Sequence, residues 1–241
     1  MSILQISQLT KYFGGLCAIK NVTAHVEAGE ILGMIGPNGA GKTTLFNLIS
    51  GSYQADYGSI LFEGAHIERS ADHQICQKGI CRTYQIVKPF NELTVLENVL
   101  IGAFKKIDGM KAAREFAMET LHFVGLDKRW DVAAKRLTLA EKKSLELARA
   151  LATQPKVMLL DEVMAGLNPN EQTEAIELIL KINKKGVALV VIEHKMKIMM
   201  SISHRIVVLQ FGEKIAEGSP EQIANDPTVI EAYLGEKEKI A

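Results

Sequence analysis

Residues 36 to 44 read Gly36-Pro37-Asn38-Gly39-Ala40-Gly41-Lys42-Thr43-Thr44. A Gly-x-x-x-x-Gly-Lys-Thr spacing can cradle a phosphate. Its glycines let the backbone curl until several N–H groups point at one anion. The helix that opens behind it adds its positive N-terminal end. Lys42 then reaches the β- and γ-phosphates, and the Thr43 hydroxyl is a ligand for Mg²⁺. The whole stretch is therefore assigned to nucleotide phosphate binding. A glycine-rich turn before a core helix is the plainer alternative. The surrounding context decides: the apolar run Ile31 to Ile35 reads as a buried strand, and Leu45, Phe46, Leu48 and Ile49 read as a helix closed by Gly51.

Four further stretches carry chemistry that fits such a loop. Asp161 and Glu162 end the apolar run Val157-Met158-Leu159-Leu160. Ligands of open parallel sheets sit beyond the carboxyl ends of the strands. Asp161 is thus placed to hold Mg²⁺, and Glu162 to polarise an attacking water. Gln85, near the end of another strand pattern, offers an amide that can touch the metal or the water. His194 follows the run Val187 to Ile192 and can donate to a γ-phosphate oxygen. Thr138-Leu139-Ala140-Glu141 has the spacing of a capping box. Lys142 and Lys143 follow in the first helical turn, where a cation is disfavoured by the helix dipole and an external phosphate would be favoured. Tyr12-Phe13, beside Gly14-Gly15, is an aromatic that either stacks on a base or packs in the core.

The elements that must position these groups alternate between strand and helix. Residues 3 to 30 read as short antiparallel strands, and Tyr57 to Gly64 as a strand between turns. A short helix is expected over 71–79, then a strand over 80–87 that Pro89 breaks. Helical periodicity dominates from Thr94 to about Thr153, with a capping box at Thr94 and Glu97 and a stop at Gly125. A buried strand at 156–162 that ends in two carboxylates, a helix at 170–184, a strand at 187–192, a helix at 195–203 and a hairpin around Gly212 follow. Pro220 opens a short helix, and Glu236 to Lys239 read as a frayed charged tail. The pattern is α/β: a core from residues 1–87 and 154–241, with a helical lobe, 88–153, inserted into it.

Composition narrows the partners. The 241-residue chain has 28 Lys+Arg against 28 Asp+Glu, which leaves no basic footprint for nucleic acid. Cys17, Cys76 and Cys81 have no paired spacing and read as small buried hydrophobes in a reducing cytosol. The N-terminus lacks a secretory pattern. The longest apolar run, Val187 to Ile192, is far short of a span. Membrane association is expected only through a partner.

Taken together, the order Phe13, Gly36 to Thr43, Gln85, Leu137 to Glu141, Asp161-Glu162, Asn168, His194 resembles the ATP-binding cassette (ABC) ATPases over essentially the whole chain. The resemblance implies an adenine-stacking Phe13, a Walker A loop, a Q-loop Gln85 and a signature at 137–141. It also implies Walker B Asp161 with catalytic Glu162, a D-loop Asn168 and a switch His194. The implied fold is a P-loop NTPase (RecA-like) core with an N-terminal antiparallel β subdomain and an inserted helical subdomain. The implied cofactors are ATP and Mg²⁺. The resemblance also implies a nucleotide-sandwich dimer, in which the signature of one cassette closes on the nucleotide of the other, so Thr138, Ala140, Glu141 and Asn168 join the nucleotide-binding set.

Arg82-Thr83-Tyr84-Gln85, Leu93 to Val99, Ala165-Gly166-Leu167-Asn168-Pro169, Glu213 to Gly218 and Tyr233 to Glu236 are similar to the ATP-binding subunits of branched-chain amino acid importers. This implies transmembrane permease subunits docked near the Q-loop and helical lobe, a solute-binding protein acting indirectly, and a place on the inner face of the membrane. The chain departs from the family where the signature usually reads Leu-Ser-Gly-Gly-Gln: Leu139, Ala140 and Glu141 stand there instead. Val163 replaces the usual proline, and Asn168 the usual Asp. Two other readings remain open at this point: a soluble ABC ATPase with an assembly or regulatory role, and an ATP-binding module with impaired hydrolysis.

Overall fold

The computed structural model describes residues 2–84 and 87–237. Strands β1 (Ser2–Phe13) and β2 (Leu16–Glu27) form one long hairpin over Gly14-Gly15. The sequence pattern suggested several shorter strands because bulges interrupt the alternation. Gln8 and Asn21 take positive φ there, at 47° and 52°. Each stranded amide finds a threonine: Gln8 N–H donates to Thr23 Oγ1, and Asn21 N–H to Thr10 Oγ1, both at 3.0 Å. Bulges with satisfied amides bend a strand without ending it. β4 (Tyr57–Phe62) and β5 (Ala65–His66) complete an antiparallel sheet ordered β2-β1-β4-β5.

The second sheet adds β3 (Ile31–Ile35), β6 (Ile80–Arg82), β7 (Val157–Asp161), β8 (Ala188–Ile192), β9 (Arg205–Gln210) and β10 (Glu213–Gly218). Its order is β10-β9-β3-β8-β7-β6, parallel throughout except for the β9–β10 hairpin. β3, β7 and β8 are buried at every residue. Such unbroken apolar runs belong to strands covered on both faces. Leu32, Met34, Leu159, Val190 and Val207 face the antiparallel sheet and helix α1 (Lys42–Ile49). Ile31, Ile35, Leu160, Val191 and Val208 face the other way, into a second core.

That second core holds α3 (Val95–Ala103), α4 (Met110–Val124) and α5 (Leu139–Ala152), with α6 (Pro169–Lys184) and α7 (Met196–Ile202). α2 (Asp72–Lys78) precedes β6, and α8 (Pro220–Ala224) and α9 (Pro227–Lys237) end the described chain. α3 and α5 approach closely at Gly102, where a Cβ would stand 2.5 Å from the Arg149 carbonyl oxygen. Both capping boxes read from the sequence are present, at Thr94 with Glu97 and at Thr138 with Glu141.

Three expectations change. The strand expected over 80–87 ends at Arg82, Thr83 N–H adds one last bond to the Leu159 carbonyl at 2.9 Å, and residues 85 and 86 lie outside the described residues. All three cysteines are half-buried rather than core residues. α9, opened by Pro227, takes in Glu236 and Lys237 of the expected tail, and Glu238 and Lys239 lie outside the described residues.

The entry to the helical lobe depends on Asn98, which has 0% exposure. Its Oδ1 accepts from Phe90 N–H at 2.9 Å, and its Nδ2 donates to the carbonyls of Phe90 at 3.1 Å and Thr94 at 2.9 Å. Removing that amide strands buried backbone groups. The Asn98→Ala variant should lose about 1–3 kcal/mol in urea unfolding; a loss under about 0.5 kcal/mol would show that the turn holds itself.

Candidate nucleotide site

The phosphate loop lies between β3 and α1, and its glycines answer to neighbouring strands. At Gly36 (φ 149°) a Cβ would stand 2.1 Å from the Leu209 carbonyl oxygen; at Gly41 (φ 101°), 2.7 Å from that of Ala18. Both positions combine a left-handed backbone with no room for a side chain. Ala40 is buried, and its carbonyl accepts from Gly212 N–H at 3.0 Å, tying the loop to the β9–β10 turn. Lys42 turns back into the loop: its Nζ donates to the carbonyls of Gly36 at 2.6 Å and Pro37 at 2.8 Å. A phosphate oxygen would offer that ammonium a charged acceptor in place of two neutral ones.

The carboxyl ends of β6, β7 and β8 stand on the same edge of the sheet. Asp161 is buried, and its Oδ2 meets Arg82 Nη2 at 2.9 Å. Arg82 also donates to Asn47 Oδ1 at 2.5 Å and lies between the rings of Phe46 and Tyr84. Glu162 has φ 51°, a conformation costly for a residue with a Cβ and concentrated at functional sites. Its Oε1 lies 2.7 Å from His194 Nε2. The sequence reading gives His194 a γ-phosphate oxygen and a neighbour that orients its other nitrogen; the structure sets Glu162 against Nε2. A carboxylate so oriented can take a proton from water while the imidazole fixes its direction.

Thr43 and Asp161 line one groove of about 1000 Å³ between the core and the helical lobe. A hydroxyl and a carboxylate are hard oxygen donors, and Mg²⁺ typically takes one or two protein ligands with phosphates and water for the rest. The donor set fits that ion. Among the described residues no group of three or more His, Cys, Asp or Glu forms a separate metal cluster. Gln85 lies outside the described residues. Its neighbour Tyr84 is held by α5: Tyr84 N–H donates to Glu146 Oε1 at 2.9 Å, and burial pushes the Glu146 carboxyl up.

Phe13 is 42% exposed at the end of β1, with the Tyr53 ring edge-on at 5.1 Å and Lys11 Nζ 5.5 Å from its centroid. Asp56 anchors this corner by accepting from Tyr12 N–H at 2.6 Å and Lys11 Nζ at 3.1 Å. Those two donors, the amide first, hold its carboxyl below the usual range. An exposed ring at a strand end can stack on a base.

At the start of α5, the Thr138 hydroxyl accepts from Glu141 N–H at 3.2 Å, and Glu141 Oε2 accepts from Thr138 N–H at 2.8 Å. Arg129 Nε lies 3.1 Å from Glu141 Oε1, so the added negative charge meets Arg129 rather than Lys142 or Lys143. Lys143 points inward and is buried, which corrects its expected role toward an external phosphate. Leu139 is exposed, and its Cδ2 would stand 2.9 Å from a Cβ at Gly166. Asn168 caps α6, its Oδ1 accepting from the N–H groups of Asn170 and Glu171, each at 3.0 Å. The sequence reading gives Arg82, Tyr53, Asp56 and Glu193 no role in the site. Arg82 closes an apolar strand as Asp161 does, and Glu193 precedes His194, which are the signals that would have found them.

Residues 19–165 match the ABC transporter family, and residues 213–239 match the branched-chain amino acid ATP-binding cassette transporter family. The chain is 40% identical to the high-affinity branched-chain amino acid transport ATP-binding protein BraF of Pseudomonas aeruginosa, over 97% of its own length and 98% of BraF. It is 41% identical to the high-affinity branched-chain amino acid transport ATP-binding protein LivG of Escherichia coli, over 97% of its own length and 98% of LivG. An ATP-binding cassette of an ABC transporter, crystallised in its ADP conformation, superposes with a TM-score of 0.88 at 33% identity, over 98% of this chain and 99% of that one. A dimeric cassette in a post-hydrolysis state with ADP and Pi gives 0.81 at 25% identity, over 90% and 98%. Phosphate loop, paired sheets and helical lobe agree with these matches: the chain belongs to the ABC transporter ATP-binding proteins and is an ABC-type ATPase.

Proposed function

We propose that this ATPase powers an importer for branched-chain amino acids or a similar polar solute. Two copies, or this chain and a related cassette, close around ATP; transmembrane permease subunits receive the motion, and a solute-binding protein acts through them. The chain would then sit on the inner face of the membrane, held there by the permease. Among the described residues no helix is long and apolar enough to cross a membrane. The match of residues 213–239 to the branched-chain family favours this solute class.

In this reading residues 36–44 bind the phosphates, with Lys42 on the β- and γ-oxygens. Phe13 stacks on adenine. Thr43 and Asp161 hold Mg²⁺, joined by Gln85, and the ion when bound neutralises charge on the phosphate oxygens. Glu162 accepts the proton of the attacking water, and His194 keeps its carboxylate aligned. Thr138, Ala140, Glu141 and Asn168 close on a second cassette's nucleotide. Residues 1–87 with 154–241 act as the nucleotide core and 88–153 as the arm that meets the permease. The observation that carries the catalytic reading is the 2.7 Å Glu162–His194 contact at the strand ends. The groove supplies the docking face, since Tyr84, Ile101 and Phe104 expose apolar surface along it.

A second reading, a weakly hydrolysing module, has support in the first turn of α5. Leu139 and Ala140 carry side chains where the family signature brings bare backbone, and the Glu141 carboxylate is committed to its cap and to Arg129.

The Glu162→Gln variant should lower phosphate release by about 10²–10⁴-fold while ATP still binds; unchanged release would remove Glu162 from the reaction. Leu139→Gly with Ala140→Gly should raise turnover per cassette, and equal or lower turnover would show that the substituted signature is not the brake. Phe104→Glu should cost on the order of 2 kcal/mol in co-purification with a co-expressed multi-span permease, with ATP hydrolysis by the isolated chain kept. Undiminished capture would move the docking face elsewhere.

A further inference from the structure

The turn after Glu162 is held by two buried charges that come from different parts of the chain. Lys143, 6% exposed on the second turn of α5, donates from Nζ to the Glu162 carbonyl oxygen at 3.1 Å. Glu193, 5% exposed at the end of β8, accepts from Met164 N–H through Oε1 at 2.9 Å. Burial draws the Lys143 ammonium pKa down, and the carboxylates of Glu193, Glu146 and Glu162 around it act against that. Burial likewise pushes the Glu193 carboxyl up, with the Lys143 charge opposing.

The turn already has its own hydrogen bonds. Ala165 N–H donates to the Glu162 carbonyl at 3.1 Å, and Leu167 N–H to that of Met164 at 3.3 Å. Burying a lysine and a glutamate to add one contact each is a poor source of stability, because desolvation offsets most of the gain. It is a good way to fix one backbone conformation, here the left-handed one at Glu162. A second contact follows the same path: Leu139, in the first turn of α5, lies against Gly166. The tip of α5 and the segment 162–166 are therefore joined at two points.

We propose that Lys143, with Glu193, is a positioning residue for Glu162. It links the carboxylate that activates water on this cassette to the helix tip that meets the nucleotide of the other. Displacement of the Thr138–Glu141 turn by a second cassette is passed through α5 and the Lys143 hydrogen bond to the backbone that aims Glu162. This makes hydrolysis at one composite site depend on closure at the other. The proposal rests on Glu162 being the base and on the α5 tip facing a partner.

The test compares wild type, Lys143→Met, Lys143→Arg, Lys143→Met/Glu193→Gln and Glu162→Gln for ATP affinity, kcat, the Hill coefficient in ATP and thermal unfolding. The expected result for Lys143→Met is a kcat lower by up to about 100-fold, the loss typical of a misplaced reacting group. Its ATP affinity should stay within about twofold, and any Hill coefficient above one should fall to about one. Lys143→Arg, which keeps the donor, should recover most of the rate. The double variant leaves no unbalanced buried charge, and it should show the same kinetic loss if the single variant fails to fold. A wild-type kcat in Lys143→Met or in the double variant overturns the proposal. So does a loss of affinity and rate that Lys143→Arg shares. Unchanged hydrolysis in Glu162→Gln would instead overturn the reading of Glu162 on which the proposal stands.

Discussion

Every group at the site depends on how the carboxyl ends of β3, β7 and β8 are aligned. The parallel ladder sets Met34 and Asp161 against Ile192 from its two sides. Glu162 N–H extends the pairing with a bond to the Ile192 carbonyl at 3.0 Å. Phosphate loop, Asp161, Glu162 and His194 thereby leave the sheet at one level. Side chains alternate along a strand, so a slip of one residue in β7 would turn Asp161 to the opposite face and move every core residue of that strand with it. The two cores guard against the slip, because each strand buries one set of side chains against the antiparallel sheet and the other against the helices. The apolar interior thus does more than stabilise the chain; it sets the register from which the polar groups are measured.

Charge placement follows the same logic at shorter range. Asp161 and Arg82 are both nearly inaccessible, and a bare carboxylate at that depth would be costly to leave unpaired. Arg82 compensates it, and hydrogen bonds and two flanking rings fix Arg82 in turn. In this structure one oxygen of Asp161 faces a guanidinium, so a divalent ion held by that carboxylate would share it with Arg82 or displace Arg82. Lys42 shows a parallel arrangement, its ammonium solvated by the carbonyls of its own loop. Both charges are held by protein groups, which a nucleotide and its metal would replace in the function proposed above.

Strand and helix periods and cap signals made most of this legible in the sequence. The phosphate loop, the strand-end acids and the capping boxes at Thr94 and Thr138 are local patterns whose physics is complete within a few residues. What escaped was non-local. Lys143 looks like a surface cation in a first helical turn until α5 is laid across the end of β7, where its partner is a backbone carbonyl that no spacing rule reveals. Glu193 is hidden beside the more conspicuous His194 for the same reason. The bulges at Gln8 and Asn21 broke the period-two pattern, so one long hairpin looked like fragments. The helix over 170–184 is legible from its period, but Asn168-Pro169-Asn170-Glu171, which carries the same capping signature as Thr138, starts it one residue earlier.

The first turn of α5 is where local chemistry and function pull in different directions. A capping box wants Thr138 and Glu141 turned toward each other, and the geometry shows both engaged that way. Leu139 and Ala140 have higher helix propensity than glycine, by up to about 1 kcal/mol per residue, so the turn is firmer than a diglycine would make it. A firm tip transmits displacement well, and the buried Lys143 contact gives that displacement a path to Glu162. The same firmness limits how closely backbone N–H groups can settle on a phosphate, because each added side chain keeps the partner at a distance. The substitutions thus trade intimacy with the nucleotide for rigidity in the linkage behind it. In the proposed composite site the two effects act on different steps: side-chain bulk on closure of the dimer, and rigidity on the alignment of Glu162 once closure has occurred.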